Sequence, residues 1–342
     1  MDYRLIAQQM RREFSKPPEQ LFASFEPEAF AAASLGQVHR ARLKTGEEVA
    51  VKIQYPGVDA TVEQDLGNLK LLLRTLQAIA GDVLRQKIDT KTIYSELEER
   101  LREELDYVNE ARNINEFRRL LAGDNDILIP RVVKDLSSRR VLTMSYLDGY
   151  PLADVFGGQS DPKLRAWVAR KYYKLVWRQV LEFGVLHTDP QPGNYLVTYH
   201  PRLGILDFGS VRHFSDHVRR SSLQLAQAIV NADDRGVAAA LVKLGYLDRG
   251  QDPAALVKVI YILFEPVMTD RPYHPDEYDA VAKAATVGEI AFEHKLYKSP
   301  RHSIFLLRAL IGLDSIMKGL GVRLNYCAMF RECVRHAARA AA

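Results

Sequence analysis

Apolar positions recur along this chain in two different periods, and the alternation between them marks out its elements. Residues 3–14 place apolar and charged side chains at helical spacing, and Lys16-Pro17-Pro18 ends that helix because proline cannot donate the next helical hydrogen bond. Residues 30–53 switch to strand character: strand, tight loop, strand, a Thr45-Gly46 turn, and a last strand over 49–53. Helical spacing returns over 61–80, where Leu66, Leu69, Leu72, Leu73 and Leu76 form a stripe and Thr61 and Gln64 have the spacing of a capping box. A second helix is expected to run unbroken from about Asp89 to Leu121, with Leu97, Leu101, Leu105 and Val108 on one face and Asp106 and Glu110 together on another.

Strands are then expected over 127–133 and 140–146, and a helix opened by Asp161-Pro162 with proline at its first position. The stripe Leu164, Trp167, Val168, Leu175, Val176, Val180 and Phe183 of that helix reads as core. Two short strands, 195–198 and 203–206, flank a His200-Pro201 turn. After Gly209 the pattern is helical: 214–231, 235–245, 253–268, 276–294, 301–319 and 324–340, with turns at Asp233-Asp234, Arg249-Gly250 and Ser299-Pro300. No internal repeat is evident.

Composition narrows the picture without changing it. A chain of 342 residues is ample for a core, and 47 basic against 43 acidic residues leave a net charge of +4, too small to argue for a nucleic-acid partner. Cys327 and Cys333 lack the spacing of a zinc site or a disulfide framework, so a reducing compartment is expected. The charged start MDYRLIAQQMRREF does not read as a signal peptide, and no apolar run reaches about 18 residues. The expectation is a cytoplasmic protein without a transmembrane segment, with peripheral membrane contact left open.

Candidate chemistry concentrates in His187 to Gly209, HTDPQPGNYLVTYHPRLGILDFG. Asp189, Asn194 and Asp207 stand at fixed offsets, the last in Asp-Phe-Gly, and the intervening hairpin would bring the ends of the stretch together. That order suits phosphoryl transfer, in which one carboxylate orients the attacking hydroxyl while an Asn and a second Asp hold Mg²⁺. Upstream, Ala31-Ala32-Ala33-Ser34-Leu35-Gly36-Gln37-Val38 has the spacing of a kinase glycine loop with alanines in place of two glycines, which predicts a stiffer loop. Lys52 in Val-Ala-Val-Lys stands where kinases place the lysine of the α- and β-phosphates, and it needs a glutamate from the second helix as partner. Met144-Ser145-Tyr146-Leu147, a strand exit followed by Gly149, is a candidate hinge with backbone groups for an adenine edge. The predicted fold is therefore α+β and bilobal, protein-kinase-like. Residues 1–147 form a small antiparallel-sheet lobe with extra helices, and 148–342 a large helical lobe. No Ala-Pro-Glu and no long activation segment are found, and Thr188 replaces the Arg that ordinarily precedes the catalytic Asp.

Read together, AAASLGQVHRA, VAVKIQYPG, EELDYVNEARN, HTDPQPGN and LDFG resemble the UbiB/AarF family of atypical, protein-kinase-like proteins. The resemblance implies a Glu-x-Asp motif at Glu104 and Asp106, pairing of Glu110 with Lys52, and Asp189, Asn194 and Asp207 as catalytic and metal residues. It also implies that the alanine loop affects nucleotide preference, and that a helix is inserted between Lys52 and Glu110, where 61–80 lies. The family's Lys-x-Gly-Gln motif has no match, Gln191 stands where the family usually has His, and the hydrophobic C-terminal anchor of some members is absent.

The reading that follows is an ATP- and Mg²⁺-dependent enzyme, ATPase or phosphotransferase. By resemblance it serves isoprenoid quinone (ubiquinone) biosynthesis or lipid homeostasis, with quinone-biosynthesis proteins or lipid precursors as partners. Two other readings stay open: a small-molecule kinase of the aminoglycoside-phosphotransferase type, and a nucleotide-binding scaffold without turnover.

Overall fold

The computed structural model describes residues 2–83, 90–158, 160–248, 250–294, 296, 298 and 300–341. The expected helix start near Asp89, the Arg249 and Ser299 halves of two expected turns, and the side chains of Leu76 and Leu97 lie outside the described residues. The chain divides into two compact units. One holds Met1–Asp124, Ile129–Asp148 and Leu206–Ser210, and the other Asn125–Leu128, Gly149–Ile205 and Val211–Ala342.

In the first unit, helix α1 (Tyr3–Phe14) is capped by Asp2 and followed by the short α2 (Pro18–Leu21). Strands β1 (Ser24–Ala33), β2 (Gly36–Arg42) and β3 (Glu48–Gln54) form an antiparallel meander. Ile6 and Met10 of α1 pack with Phe22, Val49, Val51 and Ile53, so the helix covers one face of the sheet. Gly36 belongs to the fold as much as to the loop: a Cβ there would lie 2.2 Å from the Ile53 carbonyl oxygen.

The inserted helix α3 (Val58–Val83) starts earlier than expected. The turn at Tyr55-Pro56-Gly57 launches it, and Thr61 lies inside the first turn with its hydroxyl on the Gly57 carbonyl, so it is not a cap. Val62 and Leu66 are buried, Leu69 and Leu73 half-buried and Leu72 exposed, so among the described leucines of the stripe only Leu66 is fully covered. The single helix expected to 121 is two, α4 (Thr90–Glu104) and α5 (Tyr107–Leu120). Asp106 causes the break: its carboxylate accepts from the amides of Val108 and Asn109 and caps α5. It therefore stands ahead of the helix rather than sharing a face with Glu110.

Strand β4 is only Ile127–Leu128 and belongs to the second unit; Pro130, lacking an N–H, ends it short of the expected 133. Strand β5 (Val141–Ser145) returns to the first unit as the neighbour of β3, giving the sheet order β1-β2-β3-β5.

The second unit carries β6 (Tyr150–Pro151), α6 (Pro162–Arg178) capped by Asp161, and β7 (Val185–His187). The hairpin β8 (Tyr195–Val197) and β9 (Leu203–Ile205) forms as expected, with Tyr195 opposite Ile205, inside a sheet ordered β4-β9-β8-β6. Strand β10 (Val211–His213) pairs with β7 and leads straight into α7 (Asp216–Val230), so the chain has no long segment after Gly209. Then come α8 (Asp234–Leu244), α9 (Ala254–Leu263), α10 (Glu265–Met268), α11 (Ala280–Glu293), α12 (Arg301–Leu320) and α13 (Tyr326–Ala340). The expected helix over 253–268 breaks at Phe264 because the Pro266 ring cannot follow a helical turn. The architecture is α+β, a small antiparallel sheet with many helices.

Candidate functional site

Strand β3 carries Lys52 with Val51 and Ile53 on either side, both fully buried, so the lysine is held rigidly at the base of its side chain. Helix α5 brings Glu110 to it, 58 positions on: Nζ lies 3.0 Å from each carboxylate oxygen. Asp207 Oδ2 accepts from the same ammonium at 2.8 Å. The Lys52 and Glu110 side chains are 11% and 2% exposed, against 34% for Asp207, so the pair is internal and Asp207 faces outward from it. Burial alone would discharge Lys52, but the carboxylates of Asp207 and Glu110 outweigh it and hold the ammonium's pKa well above its ordinary value. Burial pushes the Glu110 carboxyl the other way, up to about 7, against the pull of Lys52.

The Asp-Phe-Gly segment is locked from below. Phe208 is fully buried against Phe117, its N–H donates to Glu110 Oε1 at 3.3 Å, and its carbonyl accepts from Asn113 Nδ2 at 2.8 Å. The Gly209 N–H donates to Asp207 Oδ1 at 2.9 Å. Tyr107 adds a ring face 5.1 Å from the Lys52 ammonium, and Gln54 donates to the Leu105 carbonyl, tying the α4–α5 junction to the end of β3.

The alanine stretch is a β-hairpin rather than an open loop. Ala31 pairs with Val38, Ala32 with Gln37 and Ala33 with Gly36, leaving Ser34-Leu35 as its two-residue tip. Leu35 packs with Val62, Leu66 and Leu105, so the inserted helix holds that tip. At the expected hinge, Met144 pairs with Ala50, the Ser145 N–H donates to the Arg131 carbonyl and the Tyr146 N–H to the Glu48 carbonyl. Two of the backbone donors expected to serve an adenine edge are thus committed to the protein, and Leu147 is the first hinge residue past the ladder. Glu104 ends α4, and Asp106 acts on α5 as its cap.

In the second unit Asp189 is gripped from two sides. Asn194 donates its amide N–H groups to Asp189 Oδ2 at 2.8 Å and to the Asp189 carbonyl at 3.0 Å. Arg308, on α12, donates from Nη2 to Asp189 Oδ1 at 2.9 Å across 119 positions of sequence. The loop's start is fixed by Gln179, which accepts the His187 N–H at 2.7 Å. Gly312, one turn beyond Arg308, lets α12 close on the loop: a Cβ there would lie 1.9 Å from Pro190 Cγ.

Asp207, in the first unit, offers a carboxylate oxygen of the kind that a hard cation such as Mg²⁺ takes. Asn194 uses its nitrogen on Asp189, which leaves Oδ1 as an acceptor. Among the described residues no group of three or more His, Cys, Asp or Glu side chains is set to hold a metal. The Gln37 Oε1 atom in the alanine hairpin is buried without a hydrogen-bond partner, an unmet acceptor where a nucleotide is expected. Within the first unit, the Asp207 carboxylate and the Lys52 ammonium are of the types that a magnesium ion and a nucleotide phosphate take.

Sequence reasoning missed Arg308, Gly312, Asn113, Tyr107 and Gln54. Tyr107 and Asn113 lie inside the quoted EELDYVNEARN stretch and were within reach of a helical-wheel reading from Glu110, whereas no local signal marks the other three.

Comparison with known proteins agrees with this geometry. The family model described as the ABC1 atypical kinase-like domain matches residues 1–241. An uncharacterised chloroplastic aarF-domain-containing protein kinase of Arabidopsis thaliana is 31% identical over 315 residues, covering 92% of this chain and 43% of its own. The mitochondrial atypical kinase coq-8 of Caenorhabditis elegans is 28% identical over 342 residues, covering 97% of this chain and 44% of its own. The chain thus spans less than half the length of these two relatives. Among solved structures, that of Rv3197 with erythromycin from Mycobacterium tuberculosis superposes with a TM-score of 0.71 at 23% identity, covering 97% of this chain and 83% of its own, which speaks for the fold. No described helix is long and apolar enough to cross a membrane. With its kinase-like fold and a family match over more than two thirds of its length, the chain belongs to the ABC1 atypical kinase-like family.

Proposed function

We propose that the chain is an ATP- and Mg²⁺-dependent enzyme, an ATPase or a phosphotransferase. The observation that carries this reading is the charged Lys52 held between Glu110 and Asp207, since a buried ammonium with two carboxylates is costly to maintain for stability alone. In this reading Lys52 binds the α- and β-phosphates, with Glu110 fixing its position. Asp207 and Asn194 hold Mg²⁺, which when bound neutralises phosphate charge. Asp189 orients the attacking hydroxyl of water or of an acceptor, and Asn194 keeps its carboxylate in place. Ala31 to Val38 covers the nucleotide, with Met144 to Leu147 beside its base.

The UbiB/AarF resemblance supports a finer proposal, service to isoprenoid quinone biosynthesis or lipid homeostasis, with lipid precursors or quinone-biosynthesis proteins as partners at a membrane surface. The test of the coarser proposal is a melting curve. Mg²⁺-ATP should raise the melting temperature of the wild type and leave that of Asp207→Ala unmoved. An equal rise in both would remove Asp207 from the metal site.

A further inference from the structure

The catalytic loop from His187 to Asn194 contains no Arg or Lys, and the position ahead of Asp189, which carries Arg in kinase His-Arg-Asp loops, is the buried Thr188. A cation reaches the loop instead from far along the chain. Arg308 reaches Asp189 Oδ1 at 2.9 Å while Asn194 takes Oδ2 at 2.8 Å, so the two oxygens are held by donors from opposite sides. A carboxylate held at both oxygens by charged and amide donors is restrained in its orientation.

Gly312 is an independent sign that α12 is built to meet this loop. Arg308 and Gly312 are one turn apart, on the same side of the helix, and both touch the Asp189-Pro190 step. Only a residue without a Cβ allows that approach, because an added carbon would sit 1.9 Å and 2.3 Å from Pro190 Cγ and Cβ. Ordinary contact would need a retreat of roughly 1.5 Å, enough to take the guanidinium out of hydrogen-bonding range.

We infer that Arg308, reaching in from α12, is the positioning residue of Asp189, and that Gly312 sets the helix spacing that lets it reach. The inference rests on the proposed ATP-dependent activity and names how its base or water-orienting group is aimed. Arg308 is about one-third exposed, so it is not a core residue whose loss would unfold the protein.

Steady-state ATP turnover with Mg²⁺ tests it in wild type, Arg308→Ala, Arg308→Lys, Gly312→Ala and Asp189→Asn, with Mg²⁺-ATP melting curves as a check on folding and binding. Arg308→Ala should lower kcat by roughly 10-fold or more, leave KM for Mg²⁺-ATP within about twofold, and keep the Mg²⁺-ATP melting shift, because an aiming defect acts in the transition state and not on nucleotide binding. Arg308→Lys should recover part of the rate through its single ammonium, and Gly312→Ala should show the same kcat-only defect. Millimolar guanidinium should restore part of the rate of Arg308→Ala and none of Asp189→Asn. Wild-type kcat in Arg308→Ala, with Asp189→Asn inactive, would overturn the role of Arg308 and leave the functional reading standing. A defect confined to KM or to melting, with no guanidinium rescue, would make Arg308 structural and also overturn the inference. Undiminished turnover in Asp189→Asn, or no turnover by the wild type, would sink the functional reading and this inference with it.

Discussion

Replacing Lys52 by methionine isolates the electrostatics of the buried cluster, because the two side chains are close in volume and the packing of β3 is kept. What changes is that Glu110, 2% exposed, loses the ammonium 3.0 Å from both its oxygens and keeps the Phe208 N–H at 3.3 Å. Removing one partner of a buried ion pair costs about 3–5 kcal/mol. The cost has an outlet: burial has already raised the Glu110 carboxyl from 4.5 to about 7, and without Lys52 it rises further.

A carboxyl whose pKa is raised by folding binds its proton more tightly in the folded chain. Stability is therefore fully present below about 4.5 and falls as pH rises through 7 and beyond, by up to about 1.4 kcal/mol per unit. The penalty of Lys52→Met should thus be largest near pH 8 and smaller at pH 5 by up to about 1.4 kcal/mol, the one unit above 7 over which the variant alone goes on losing stability. Adding Glu110→Gln should relieve most of it at pH 8 and remove its pH dependence.

Both tryptophans, Trp167 and Trp177, lie in the second unit, so their fluorescence reports on the wrong part of the molecule. Hydrogen exchange of β3 and α5 amides, followed by mass spectrometry, reads the right one. Protection should fall roughly 10²- to 10⁴-fold at pH 8. A loss below about 1 kcal/mol, or one equal at pH 5 and pH 8 after correction for intrinsic exchange, would mean that Glu110 is not a buried charge held by Lys52.

Gly36→Ala should destabilise the first unit by about 1–3 kcal/mol, since its Cβ would meet the Ile53 carbonyl at 2.2 Å, and should weaken Mg²⁺-ATP binding as the hairpin shifts; unchanged exchange in β2 and β3 would contradict this. Asn113→Ala frees the buried Phe208 carbonyl from its 2.8 Å bond, which should cost about 1–3 kcal/mol and raise the Mg²⁺ concentration needed for half-maximal nucleotide binding by loosening Asp207; an unaltered Mg²⁺ titration by calorimetry would show that Asn113 serves stability alone.

Lys52, Asp189, Asn194 and Asp207 were legible because each sits in a short stretch whose spacing is itself the signal, and the β8–β9 hairpin could be read from two apolar runs about a proline. The break between α4 and α5 was not, because periodicity over a charged stretch runs on through Asp106, and only its bonds to Val108 and Asn109 reveal a cap. The hairpin made by the alanines was hidden by their small size, which suits a loop or a strand equally. Arg308 was beyond reach for a different reason. Its helix reads as an ordinary amphipathic one, and the meeting with Asp189 across 119 positions depends on how the helices of the second unit stack. Gly312 was hidden likewise: an isolated helical glycine has no signature until the Pro190 ring is found against it.

The central claim, that this chain turns over ATP with Asp189 as the orienting group, is tested most directly by phosphate release from Mg²⁺-ATP in wild type and Asp189→Asn at matched nucleotide saturation. The account predicts measurable wild-type turnover that falls roughly 10²- to 10⁴-fold in Asp189→Asn with nucleotide binding retained. Equal rates in the two proteins, or tight Mg²⁺-ATP binding by the wild type with no phosphate released or transferred, would contradict it.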